Sequence, residues 1–161
     1  AYRDYTKPPV PDFQSVNVFG LINDSLQLSK PYLKHVKVEL SALIPEEDFL
    51  QADEKLISQV LINLLKNAGE ALEGKAEATI SIDYQKLETT QIISIRDNGP
   101  GIPKEELEEI FVPFFTTKKQ GSGIGLSLSK QIMKAHGGNI LVQSSPQSGT
   151  QFKIELPKAS R

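Results

Sequence analysis

The sequence predicts a mixed α/β domain, and three observations carry that expectation. A long amphipathic helix signal runs from about Glu54 to Glu73. Two alternating segments, Ala78 to Tyr84 and Gln91 to Asp97, are joined by a short polar link holding Glu88-Thr89-Thr90 and read as a β-hairpin. A second helical segment, Ser122 to His136, stops at Gly137-Gly138 and is followed by two more alternating segments. At 161 residues the chain fits one domain with a real core.

In chain order, residues 1–12 hold prolines without apolar periodicity and are expected to be a tail or linker remnant, with the domain proper over residues 13–161. Phe13 to Asn17 predicts a short strand. Val18 to Leu33 predicts a helix, with Phe19, Ile22, Leu26 and Leu33 at near-helical spacing and Pro31 as a warning about its end. His35 to Leu43 alternates as a strand does, and Asp48 to Gln51 predicts another. The long helix has Asp53 as its expected N-cap. On a wheel of about 100° per residue, Ile57, Val60, Leu61, Leu64, Leu65, Ala68, Ala71 and Leu72 fill one arc, the expected core face. Gln59, Asn63, Asn67 and Glu70 form a polar stripe beside it. In the second hairpin strand Ile93, Ile95 and Asp97 share one face, so Asp97 points coreward at the strand's end. Lys104 to Glu109 predicts a short helix. Ile140 to Gln143 and Thr150 to Leu156 are the last expected strands.

Composition excludes several classes. Charged residues make up 24% and hydrophobic ones 39%, as in ordinary globular domains. A net charge of -2 marks no nucleic-acid binder. The absence of cysteine excludes disulfides, thiol catalysis and Cys-ligated metals, and fits a reducing compartment. No apolar run is long enough to span a membrane and no signal-peptide pattern stands at the start. The chain begins at Ala1 rather than methionine, and is expected to be part of a longer protein.

Chemistry concentrates in glycine-rich turns. Asp97-Asn98-Gly99-Pro100-Gly101-Ile102-Pro103 and Gly121-Ser122-Gly123-Ile124-Gly125-Leu126 flank a segment with Phe111, Phe114, Phe115, Lys118 and Lys119. Glycine lets backbone approach a ligand closely, and free N–H groups at a helix start attract anions. Each feature has a plainer reading. Asp-Asn-Gly is a common hairpin turn, and the second glycine run is also a flexible linker. The phenylalanines pack as core or cover as readily as they grip a ligand, and the lysines serve as solvated charges. Asn63 and Asn67, four apart, project from one helix face, where an amide oxygen suits a hard cation or simply meets solvent. Gly69 to Ala76 nearly fits a P-loop, but it follows a helix and Ala76 stands where Ser or Thr is needed.

These features occur in one order: amide helix, acid-glycine turn, aromatic segment, glycine-helix turn, final Gly149-Thr150. In that order the chain resembles the catalytic ATP-binding domain of bacterial sensor histidine kinases, within the GHKL superfamily. Asn63-Leu-Leu-Lys-Asn67-Ala68 matches the N box, Asp97-Asn-Gly99-Pro-Gly101 the G1 box, Phe111-Val-Pro-Phe114-Phe115-Thr-Thr-Lys118 the F box and Gly121-Ser-Gly123-Ile-Gly125-Leu126 the G2 box. Ala135-His136-Gly137-Gly138 and Gly149-Thr150-Gln151-Phe152 complete the pattern, which covers about Val16 to Pro157.

The resemblance implies a two-layer α/β sandwich of the Bergerat type, with a mixed sheet of about five strands on three helices. It implies ATP and Mg²⁺ as cofactors. Asn67 would hold the Mg²⁺, with Asn63 beside it. Asp97 would bind the adenine amino group, supported by Thr150, in a pocket shaped by Gly99, Gly101 and Ile102. Phe111 to Gln120 would form a lid, with Phe114 in it and Lys118 reaching a phosphate. Gly121, Gly123, Ile124, Gly125 and Leu126 would pass over the phosphates. The acceptor histidine would lie on a separate dimerisation domain, since His35 falls in a predicted strand and His136 at a helix end. A response regulator would be the indirect partner. The chain would be a monomer, its parent a homodimer in the cytoplasm, whether or not anchored to the inner membrane. Related hydrolases carry a glutamate at the position of Asn63, and an amide is no general base, so ATP hydrolysis is expected to be very slow. Glu70 departs from the Lys or His often seen there. Alternatives of the same fold are an ATPase, an anti-sigma serine kinase or a nucleotide-binding pseudokinase.

Overall fold

The computed structural model describes residues 9–113 and 125–158. Among these the chain forms β1 (Gln14–Asn17), α1 (Val18–Ser29), β2 (Lys37–Leu40), β3 (Phe49–Ala52), α2 (Glu54–Ala71), β4 (Thr79–Lys86), β5 (Thr90–Asp97), α3 (Lys104–Leu107), α4 (Gly125–Ala135), β6 (Asn139–Ser145) and β7 (Gly149–Pro157). Five strands make one sheet in the order β2-β4-β5-β7-β6. β2 joins β4 in parallel and the other pairs are antiparallel, so the sheet is mixed. The remaining two strands form an antiparallel ribbon, β1 against β3.

Alternation decides the layers. Ile80 and Ile82 of β4, Ile93 and Ile95 of β5, Phe152 and Ile154 of β7 and Ile140 of β6 join one apolar cluster with the inner residues of α1, α2 and α4. The opposite parity carries Ser81, Asp83, Arg96, Gln151 and Lys153. The result is the expected α/β sandwich, one helical layer on one mixed sheet. Truncating a fully buried side chain such as Leu64 to alanine is expected to cost about 2–5 kcal/mol.

Several boundaries move, each for a local reason. α1 ends at Ser29, and Pro31 lies in a short 3-10 turn over Lys30–Tyr32, so the helix stops where proline predicts trouble. The strand expected over residues 35–43 shrinks to β2. The Ser41 hydroxyl accepts the Leu43 N–H at 3.1 Å and the Ser41 carbonyl accepts the Ile44 N–H, which turns the chain off the sheet edge. Asp53 caps α2 as expected, its Oδ1 accepting the Leu56 N–H at 3.1 Å. The predicted core face of α2 is buried except for half-buried Ala71. Gly69 is buried as well, and a Cβ there would run into the Tyr32 carbonyl oxygen. Close packing of α2 on the 3-10 turn, not phosphate binding, is what that glycine serves.

α3 spans only Lys104–Leu107, short of Glu109. α4 is described from Gly125, so the expected start at Ser122 lies outside the described residues. Its other end closes as a Schellman motif. Gly137, at φ +74°, donates to the Lys134 carbonyl and Gly138 to the Met133 carbonyl, both at 2.9 Å. β6 runs two residues beyond Gln143, to Ser145.

Candidate functional site

One end of the site is a buried acid. Asp97 closes β5 with 5% of its surface exposed, flanked in register by Ile80 of β4 and Thr150 of β7. A carboxylate is costly to bury without hydrogen bonds. Here Oδ1 accepts the Gly99 N–H at 2.8 Å. The neighbouring backbone is drawn in so tightly that glycine is required. A Cβ at Gly99 would stand 2.9 Å from Asp97 Oδ1, and one at Gly149, φ +80°, would strike the Asp97 carbonyl oxygen. Asn98 faces away from the acid. Its Oδ1 accepts the Thr79 N–H at 2.9 Å and its Nδ2 donates to the Glu77 carbonyl at 3.0 Å. The Asp-Asn-Gly segment therefore anchors to the start of β4 and is not a hairpin turn.

Gly101, at φ +83°, packs against the end of β6, where a Cβ would come within 2.6 Å of the Ser145 carbonyl oxygen. The next residue, Ile102, donates its N–H to Ser144 Oγ at 2.7 Å, and Ser144 Oγ sits 2.8 Å from Thr150 Oγ1. Ser144 thus ties the loop after the acid to the residue beside the acid. Residue order alone does not single out Ser144, although Ile140, Val142 and Ser144 share parity and a hydroxyl at a coreward strand end is the available signal.

The other end is built by α2 and α4. Asn63 donates from Nδ2 to the Gly125 carbonyl and to Ser129 Oγ, each at 3.3 Å. This brings Asn63 and Gly125 together at the start of α4, with Leu126 packed half-buried beside the core. Asn67 and Glu70 follow along α2, both half-buried. No group of three His, Cys, Asp or Glu able to hold a metal exists among the described residues. The donors present are amide oxygens, which fit an ion that keeps waters and takes phosphate oxygens, as Mg²⁺ does. Phe114, Phe115, Lys118, Lys119, Gly121, Gly123 and Ile124 lie outside the described residues. Phe111, just before them, is held. It meets Phe152 edge-on with centroids 6.5 Å apart, and the Lys130 ammonium stands 4.8 Å from its ring centre.

Both histidines have structural partners. His35 Nε2 lies 2.9 Å from the Leu72 carbonyl oxygen. His136 Nδ1 lies 2.8 Å from the Ile132 carbonyl, and its Nε2 accepts the Asp53 N–H at 3.0 Å. An electrostatic cluster stands at the opposite end of β5 from Asp97. Tyr84 donates to Asp48 at 2.6 Å, while Gln91 Nε2 donates to Tyr84 Oη at 2.8 Å and to the Phe49 carbonyl at 2.9 Å. Burial, then the Asp48 carboxylate, pushes the Tyr84 hydroxyl up to about 12. Partial burial would raise Asp48, but hydrogen bonds from Tyr84, Lys86 and the Phe49 N–H outweigh it and hold the carboxyl low.

Residues 52–160, which contain both ends of the site, match the family described as histidine kinase-, DNA gyrase B- and HSP90-like ATPase, and the chain belongs to that family. Among curated relatives, the signal transduction histidine-protein kinase AtoS of Escherichia coli (strain K12) is 37% identical over 155 residues, covering 96% of this chain and 25% of AtoS. The sensor histidine kinase ZraS of Salmonella typhimurium is 37% identical over 160 residues, covering 98% of this chain and 34% of ZraS. The chain therefore spans only a quarter to a third of these relatives. The solved catalytic domain of histidine kinase ThkA superposes with a TM-score of 0.78 at 34% identity, over 92% of this chain and 99% of that one. No helix among the described residues is long and apolar enough to cross a membrane.

Proposed function

We propose that this chain is the ATP-binding catalytic domain of a sensor histidine kinase, which binds Mg-ATP and donates the γ-phosphate to a histidine on a separate dimerisation domain, with a response regulator downstream. The observation that carries this reading is the Asp97 carboxylate, buried at the end of a central strand and oriented by the Gly99 N–H. A carboxylate accepts several hydrogen bonds, and adenine's exocyclic amine is a matching donor. Gly99, Gly101, Ile102 and Thr150 form the walls around that acid. At the other end Asn67, with Asn63 beside it, offers amide oxygens to the metal. Mg²⁺, when bound, offsets phosphate charge, and phosphoryl transfer needs positioning and charge neutralisation more than covalent chemistry from the protein. Lys118 and the backbone of Gly121, Gly123, Ile124, Gly125 and Leu126 are assigned to the phosphates and Phe114 to the cover over them. An amide at Asn63 cannot activate water, which favours transfer over hydrolysis.

Calorimetry with a non-hydrolysable ATP analogue, with and without Mg²⁺, tests the reading. The chain should bind, and Asp97→Asn should weaken binding at least about tenfold while folding normally. Asparagine keeps an oxygen for the Gly99 N–H but turns an NH₂ against the adenine amine. No binding by the unaltered chain, or equal binding by Asp97→Asn, would overturn it.

A further inference from the structure

Asn63 reaches α4 through its nitrogen. The Gly125 carbonyl 3.3 Å away is an acceptor only, so the amide atom facing it has to be the NH₂ and not the oxygen. The Ser129 hydroxyl, on a fully buried residue, takes the other N–H at 3.3 Å. Both protons of Nδ2 are thereby committed to α4. Oδ1, the opposite end of the amide, accepts no hydrogen bond among the described residues. Asn63 is half-buried on the same helix stripe as Asn67, one turn away.

We propose that Ser129 is a positioning residue: together with the Gly125 carbonyl it fixes the Asn63 amide so that Oδ1, not the NH₂, is what the nucleotide site receives. The inference rests on the nucleotide-site reading above. The polarity matters chemically. An NH₂ presented there would donate to phosphate oxygens directly. An oxygen presented there accepts from a donor, such as a water on a phosphate-bound divalent cation, and so contributes only when the cation is present. A hydroxyl on α4 thus selects which of these a side chain on α2 performs.

Two measurements test it. In the nucleotide-free chain, the side-chain NH₂ signals of Asn63 should exchange with solvent at least about tenfold more slowly than those of exposed Asn23 on α1, as an anchored donor pair requires. Equal exchange would overturn the proposal. Ser129→Ala should shift the Asn63 side-chain signals while leaving the backbone spectrum native. It should also weaken analogue binding about fivefold in Mg²⁺ and leave binding in chelator unchanged. Equal weakening in both conditions, or none in either, would overturn it. If the unaltered chain binds no nucleotide, the proposed function fails instead, and the exchange measurement still decides whether the amide is anchored.

Discussion

His136 and Asp53 are joined by a 3.0 Å hydrogen bond in which the Asp53 backbone N–H donates to the imidazole Nε2. On its other side the ring donates its Nδ1–H to the Ile132 carbonyl, and its edge meets Phe13 with centroids 5.3 Å apart. The last turn of α4 is thereby fastened to the cap of α2. Both nitrogens are engaged, which fits a staple and not a phosphate acceptor. His136→Ala should lower unfolding stability by about 2–3 kcal/mol, read from the shift of the denaturant midpoint. Incubation with labelled ATP and Mg²⁺ should leave the unaltered chain unlabelled on histidine.

Tyr84 should ionise late. Its folded value, about 12, lies above the ordinary 10.0. A raised value means that the stabilisation is complete below pH 10 and is lost as pH climbs through about 12. Ultraviolet difference titration should show a late tyrosine transition that Tyr84→Phe removes. The same substitution should flatten the fall in stability across that alkaline window.

Gly69 and Gly74 should respond to alanine for opposite reasons. At Gly69 the helix itself would welcome alanine, yet the Tyr32 carbonyl occupies the space, and Gly69→Ala should cost about 1–3 kcal/mol. At Gly74 space is open but φ is +76°, so Gly74→Ala should cost about 1 kcal/mol through the backbone alone. Chemical denaturation of both variants checks this. Nucleotide affinity of folded Gly69→Ala should match the unaltered chain, since this glycine packs a helix and touches no phosphate.

Ser144→Ala should weaken analogue binding severalfold without unfolding the chain. It leaves the Ile102 N–H without its acceptor and Thr150 without its neighbour, loosening two walls beside Asp97. Calorimetry should show the loss equally with and without Mg²⁺, in contrast to Ser129→Ala.

Much of this arrangement was legible in residue order. Alternation alone places Asp97 on the core side of its strand, and spacing alone puts Asn63 and Asn67 on one helix stripe. What escaped reading depends on contacts between distant segments. Ser144-Ser145-Pro146 looks like a loop, and only pairing with β7 makes Ser144 part of a strand whose inward face meets Thr150. Gly69 opens a near P-loop that the sequence itself rules out, but its actual reason, the carbonyl of Tyr32 thirty-odd residues earlier, is invisible locally. The amide polarity of Asn63 is set by a carbonyl and a hydroxyl on another helix, which no local pattern encodes.

β7 is inserted between β5 and β6, so of the two strands flanking Asp97 one is the last in chain order among the described strands. A chain that has emerged only as far as β6 would have its acid on an open sheet edge, lacking Gly149 and Thr150. The proposed base-reading end is thus completed by the final strand of the sheet, and a truncated or stalled product should be blind to nucleotide however well its helices have formed. On the proposed function, order of emergence would act as a safeguard, since the domain would acquire its ligand only once the whole sheet is in place.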